Sequence, residues 1–200
     1  MILKICGITN QADATAAIDA GATAIGFNFY GRSPRYIEPA LAGEIATAGS
    51  VRRVGVFVNE TRERIEEIAR MARLDVAQLH GEETPDEYPD TLAIWKALRV
   101  RDRFDLSLYE ELPVEALLLD GPADELYGGS GKTFDWTLAR DARRPIVLAG
   151  GLDATNVAAA IELVRPWGVD VCSRIESAPG KKDHKKMTEF LQAAMAAVHV

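Results

Sequence analysis

A cysteine and an aspartate, each closing a short apolar run, are the residues of this chain best placed to move protons. Cys6 ends Ile2-Leu3-Lys4-Ile5-Cys6, and Asp120 ends Leu117-Leu118-Leu119-Asp120. A thiolate and a carboxylic acid facing each other across a pocket can act on two neighbouring atoms of one substrate. Both residues have plainer readings: a lone cysteine packs as a small buried hydrophobe, and an aspartate after a strand caps a loop. Of the three histidines, His80 ends Gln78-Leu79-His80 and shares the same rim, while His184 and His199 fall on the C-terminal stretch and read as exposed. The scattered Cys and His lack metal-ligand spacing, so no metal is expected.

Glycines mark a second chemical feature. Gly150-Gly151 follows the seventh apolar run, and Ser173-Arg174-Ile175-Glu176-Ser177-Ala178-Pro179-Gly180 follows the eighth. Where side chains are missing, backbone amides can approach a phosphate, and a helix start adds its positive dipole. A tight turn explains a lone Gly-Gly pair equally well. Two such loops after the last two strands match the habitual phosphate corner of a barrel enzyme. Tyr127-Gly128-Gly129-Ser130-Gly131-Lys132 lacks a full P-loop pattern and reads as a mobile lid.

The elements that must position these groups follow a repeating strand-helix plan. Apolar runs at 2–6, 24–27, 54–58, 76–79, 93–98, 116–119, 146–149 and 169–171 are nearly continuous, the mark of parallel strands buried on both faces. Helical spacing falls at 12–20, 60–72, 155–164 and 183–198, with Asn10, Asn59, Thr84, Asp153 and Asp183 at N-cap positions. Eight such units, at about 25 residues each, close into a compact α/β fold, a (β/α)8 TIM barrel. The fifth unit, Arg101 to Glu111, has a poor helical pattern, so its helix is expected to be short or irregular. An open doubly wound sheet is the structural rival.

Length and composition suit one domain over residues 1–200. No apolar stretch approaches a membrane span, and Met1 leads directly into the first strand, so a cytoplasmic protein with no membrane partner is expected. A net charge of -7 argues against nucleic acid, which requires a concentrated basic surface. The brief cluster Lys181, Lys182, Lys185, Lys186 reads as the solvated start of the last helix. If the ligand is itself anionic, an acidic protein must hold it with local donors such as backbone amides and a few placed cations.

Eight ordered motifs resemble phosphoribosylanthranilate isomerase of tryptophan biosynthesis from end to end. They are Lys4-Ile5-Cys6-Gly7-Ile8-Thr9, Gly26-Phe27 with Ser33-Pro34-Arg35-Tyr36-Ile37, Val54 to Asn59, Gln78-Leu79-His80-Gly81-Glu82, Leu118-Leu119-Asp120, Gly128 to Trp136, Gly150-Gly151-Leu152 with Asn156-Val157, and Pro179 to Asp183. The resemblance implies a cofactor-free Amadori rearrangement of a phosphorylated substrate by a monomer or homodimer. It implies Cys6 as general base, Asp120 as general acid and Arg35 as the partner of the anthranilate carboxylate. Gly150, Gly151 and Ser173 carry over as phosphate neighbours and His80 as a pocket wall, with Asp170 and Arg174 on the same substrate-facing rim. The alternatives are another phosphosugar isomerase or synthase on the same barrel, or a barrel that binds a phosphorylated ligand without catalysis.

Two positions depart from the resemblance. In Val169-Asp170-Val171-Cys172-Ser173-Arg174-Ile175-Glu176, Cys172 stands where the family has serine and Arg174 where it has glycine. Arg174 is read as pointing outward, leaving its amide to the phosphate. Strand alternation puts Lys4 with Cys6 on one face of the first strand and Asp170 with Cys172 on one face of the eighth. The first and eighth strands of a closed barrel are neighbours, which predicts the cross-strand pairs Lys4 with Asp170 and Cys6 with Cys172. The second pair is a potential disulfide under oxidation, kept reduced in a cytoplasm.

Overall fold

The computed structural model describes residues 1–47, 49–101, 104–121 and 133–198. The expected lid at 127–132 and His199 lie outside the described residues. Eight parallel strands pair in chain order: β1 (Ile2–Ile5), β2 (Ala24–Asn28), β3 (Arg52–Phe57), β4 (Val76–Leu79), β5 (Ala93–Arg99), β6 (Ala116–Asp120), β7 (Ile146–Leu148) and β8 (Gly168–Val171). β8 returns to β1 with Lys4 opposite Asp170 and Ile5 opposite Val171, so the sheet is a closed barrel and the open-sheet rival is excluded.

Alternation along the strands sorts side chains into two layers. Ala24, Val54, Val76, Trp95, Ala97, Ala116, Leu118, Val147 and Ala149 fill the barrel interior, while Ile5, Ile25, Phe27, Leu79, Leu117, Leu119 and Val169 face the outer shell. Trp95 plugs the interior, its Nε1 donating to Glu115 Oε2 at 2.7 Å. Burying each such large apolar side chain contributes about 1.5–3 kcal/mol.

The shell contains α1 (Gln11–Asp19), α2 (Pro39–Glu44), α3 (Arg62–Ala72), α4 (Val157–Val164) and α5 (His184–Val198). Asn10 caps α1 by accepting from Asp13 N, and Asp183 caps α5 by accepting from Lys185 N and Lys186 N. Two expected caps fall elsewhere. Thr61, not Asn59, caps α3, because Asn59 takes a left-handed conformation (φ 52°) and its side chain accepts from Glu82 N. Asp153 instead turns the chain by accepting from Thr155, and α4 starts later, after Asn156.

The fifth helix is reduced to a single 3-10 turn, Leu106–Tyr109, as its weak pattern predicts. Among the described residues the fourth and sixth connections also show only short 3-10 turns, at Pro85–Glu87 and Trp136–Ala139. Polar clamps accompany the missing helices. Buried Lys96 donates to Gly81 O and Glu83 Oε2, both at 2.7 Å, and Arg144 donates to the carbonyls of Glu110, Leu112 and Val114.

After β8 the chain forms a 3-10 turn, Ser173–Ile175, and a small hairpin, β9 (Glu176–Ala178) with β10 (Lys181–Lys182). This corrects the reading of the basic cluster: Lys182 is not solvated but buried, its Nζ donating to Glu176 Oε1 at 3.0 Å.

Candidate active site

The C-terminal ends of the strands surround an open cavity. The residues expected at the catalytic and substrate-binding positions line it: Cys6, Arg35, His80, Asp120, Gly150, Gly151, Asp170, Ser173 and Arg174. Position in the fold explains this convergence. Cys6 stands one residue beyond β1, Asp120 ends β6, His80 follows β4, and the glycines follow β7, all at one mouth. In the ring of eight, β1 and β6 lie three strands apart, so Cys6 and Asp120 approach the cavity from different sides.

Cys6 is almost fully buried (8% exposed) and its amide donates to Val171 O at 2.9 Å, continuing the β1–β8 ladder. The Cys172 thiol hydrogen-bonds to it, and together with the Lys4 and Lys182 ammoniums this holds Cys6 well below the ordinary thiol range, against the pull of burial. Cys172 moves the opposite way, its proton retained by that hydrogen bond and by burial. Both predicted cross-strand pairs are therefore present, and both cysteines are free thiols. Gly26 on the neighbouring strand makes the arrangement fit. A Cβ there would lie 2.9 Å from Cys6 Sγ and 3.0 Å from Lys4 Nζ.

Asp120 is shifted in the opposite sense. Burial pushes its carboxyl up to about 6, with the Cys6 charge adding and the Gly121 amide opposing. Gly150 packs against this carboxyl: it has φ 80°, and a Cβ there would meet Gly121 N at 2.3 Å and Asp120 Oδ1 at 2.8 Å. Only glycine takes that conformation without strain and leaves that space.

Lys4 is wholly buried on the barrel axis and donates to Asp170 Oδ1 at 2.8 Å. Burial lowers its proton affinity, but Asp170 and Cys6 outweigh burial and hold it above the ordinary lysine range. Burial pushes Asp170 up to about 7 while Lys4 pulls it down. The two shifts tug one pair in opposite senses. A 2.8 Å contact with an ammonium that stays charged makes the carboxylate the form that fits at neutral pH. His80 is drawn down to about 3 by burial and by Lys4, Arg99 and Lys96, so it is a neutral imidazole, in contact through Nε2 with Gln78 Nε2.

Arg35 forks onto Glu176, with Nε donating to Oε1 at 2.9 Å and Nη2 to Oε2 at 2.7 Å. Glu176 also accepts from Lys182 Nζ and from Gly180 N. The carboxylate thus ties the loop after β2 to the loop after β8. Asn156 braces the glycine loop, its Nδ2 donating to Gly151 O at 2.9 Å. Ser173 and exposed Arg174 complete this corner of the cavity.

Three further contributors escaped the sequence reading. Gln78 lines the cavity although it is only 1% exposed, and period-two alternation with His80 signals its inward face. Glu176 and Lys182 carried no local signal, since a glutamate in a loop and a lysine in a basic cluster usually face water.

The sequence profile of the family described as N-(5'-phosphoribosyl)anthranilate (PRA) isomerase matches residues 3–193. The N-(5'-phosphoribosyl)anthranilate isomerase of Solibacter usitatus is 67% identical over 198 residues, 99% of each chain. Among solved structures, a monomeric form of the dimeric enzyme from Thermotoga maritima superposes with a TM-score of 0.86 at 42% identity, covering 98% of this chain and 100% of that one. A phosphoribosyl anthranilate isomerase in complex with reduced 1-(o-carboxyphenylamino)-1-deoxyribulose 5-phosphate gives a TM-score of 0.87 at 40% identity, with the same coverage.

Proposed function

The chain belongs to the N-(5'-phosphoribosyl)anthranilate isomerase family, and from that premise we propose how its residues convert N-(5-phosphoribosyl)anthranilate to 1-(2-carboxyphenylamino)-1-deoxyribulose 5-phosphate, a step of tryptophan biosynthesis. One observation carries the assignment of roles: a thiol held low and a carboxyl held high border the same cavity. A base must be deprotonated and an acid protonated at one pH, and opposite environments achieve that.

Asp120 gives its proton to the ribose ring oxygen. The C1–O bond breaks, the ring oxygen leaves as a hydroxyl, and the anthranilate nitrogen supplies the electron pair for a protonated Schiff base. Cys6 thiolate then removes the C2 proton, and that C–H pair becomes the C1=C2 bond of a neutral enolamine. Transfer of a proton from the C2 hydroxyl to C1 leaves the ketone. One proton enters the substrate and one leaves it, so no acid or base is consumed. At pH 7 a carboxyl near 6 retains its proton about a hundredfold more often than an ordinary aspartate.

Binding follows the same logic. The bonds to Glu176 use Nε and Nη2 of Arg35, and a guanidinium has five N–H donors, so others are left for the planar anthranilate carboxylate. Gly150, Gly151 and Ser173 cradle the phosphate, with Arg174 at its edge. Neutral His80 and Gln78 form the wall between these ends, and Asp170 borders the sugar while anchoring Lys4. Among the described residues no helix is long and apolar enough to cross a membrane.

Freshly prepared phosphoribosylanthranilate mixed with the purified protein should lose its fluorescence with turnover. Cys6→Ser and Asp120→Asn should each lower kcat by at least about a hundredfold, the usual scale of proton-transfer catalysis, with KM changed only a few fold. Near-normal turnover in either variant rejects that assignment, and no turnover in the unaltered protein rejects the function.

A further inference from the structure

Two sulfurs meet in this site, and their surroundings decide which is negative. Cys6 and Cys172 stand side by side one residue beyond the Ile5–Val171 register pair, in hydrogen-bond contact. That bond is indifferent to the choice, because either sulfur can be the donor and the other the acceptor. Their neighbours are unequal. Cys172 Sγ has Lys182 Nζ at 3.8 Å, but Glu176 Oε1 lies at 4.0 Å and accepts from that same lysine. That one carboxylate offsets part of the lysine's pull on Cys172.

Cys6 has a cation of its own. Lys4 Nζ lies close by, wholly buried and fixed at 2.8 Å on Asp170, two residues behind Cys172 in the chain. Bare Gly26 leaves the space into which both Lys4 Nζ and Cys6 Sγ project. The other charged groups felt by Cys6 or feeling it are Lys182, Arg35, Asp120 and Asp170, and Arg35 shares with Lys182 the single charge of Glu176. Lys4 is thus the ammonium in this set that shares the space beside Gly26 with Cys6, apart from the Arg35, Lys182 and Glu176 group around Cys172. A buried cation is worth far more at contact than across solvent, since the low-dielectric interior screens it poorly.

We propose that Lys4, anchored by Asp170, is the positioning residue that makes Cys6 rather than Cys172 the ionised sulfur. The inference deepens the proposed function and rests on Cys6 being the base. Lys4 acts through the thiolate and does not itself handle the substrate's protons. The (i, i+2) spacing of Lys4 and Cys6 on one strand puts both on the barrel side of β1, and the β1–β8 register sets Asp170 opposite Lys4.

The test reads labelling without substrate. Unaltered protein and Lys4→Met are exposed to limiting iodoacetamide from about pH 5 to pH 9, and adducts on the Cys6 and Cys172 peptides are counted by mass spectrometry, since alkylation follows the thiolate. In the unaltered protein Cys6 should take nearly all of the label. In Lys4→Met the pH at which Cys6 begins to react should rise by about one to three pH units, the usual effect of removing a contacting opposite charge. Its labelling rate at pH 7 should fall at least about tenfold and the share on Cys172 should grow. The low-pH limb of kcat should move with it while KM changes little. Lys4→Gln, neutral but still able to hydrogen-bond Asp170, should behave alike and carries the test if the methionine variant does not fold. An unchanged onset and unchanged Cys6 to Cys172 ratio in a folded variant overturns the proposal. A switch in labelling with undiminished turnover would count instead against Cys6 as the base.

Discussion

Asp120→Asn should stabilise this protein at neutral pH while abolishing its activity. Burial holds the carboxyl at about 6 against an ordinary 3.8. The unfolded chain therefore releases this proton near pH 3.8 and the folded one near 6. Between those values the folded state binds more protons, so stability falls as pH rises. The loss is complete above about pH 6 and absent below about pH 4, and amounts to roughly 3 kcal/mol for a gap of this size. Asparagine is neutral throughout, nearly the same shape, and keeps a carbonyl for the Gly121 amide that now donates to Asp120. Relief of that cost would raise Tm by about 5–10 °C for a chain of this length, an upper figure because the new NH2 must find a partner. Thermal unfolding followed by circular dichroism at about pH 7.5 and pH 4, beside the fluorescence assay, tests the sign directly. Equal stability at the higher pH, or a gain that persists at the lower one, would refute the reasoning from buried charge.

Three further outcomes follow from the same geometry. A hydroperoxide should oxidise the Cys6 thiolate to a sulfenic acid, releasing an alcohol, and Cys172 should then displace water to form a disulfide; loss of activity with two thiols titrated away, both restored by dithiothreitol, is the expected result, and an unchanged thiol count after inactivation sinks it. Arg174→Gly should change KM by less than about fivefold, because an exposed cation contributes under about 1 kcal/mol, and a tenfold change either way would show that the side chain meets the phosphate. Gly150→Ala combines a left-handed φ with a 2.3 Å approach to backbone, so it should cost about 2–5 kcal/mol and lower Tm by about 5–15 °C, and a Tm within a degree or two of the original contradicts the packing described.

Much of this architecture is legible in a linear string because parallel strands buried on both faces leave near-continuous apolar runs, and all eight expected runs overlap observed strands. Strand ends are legible too, since apolar character stops where a polar residue such as Asp120 or His80 reaches the mouth. Helices were harder to read. The unit after β4 shrinks to a single turn, because a loop clamp, Lys96 with Glu83, replaces helix packing, and such a clamp joins residues with no periodic signature.

Residue types and apolar spacing alone name the chemical groups and the end of the fold at which they gather: Cys6, Asp120, His80 and the glycines all follow strands, and a parallel barrel sends every strand end to one mouth. Their charge states are set by packing between distant segments. Lys182 looked like one of several solvated lysines until the hairpin buried it on Glu176, and Arg35 stands at the cavity edge because that same carboxylate, 141 residues away, holds its fork. Charge depends on desolvation and on contacts within a few ångströms. Those contacts exist only once closure of the barrel brings β8 against β1, which sets Cys172 beside Cys6 and Asp170 beneath Lys4.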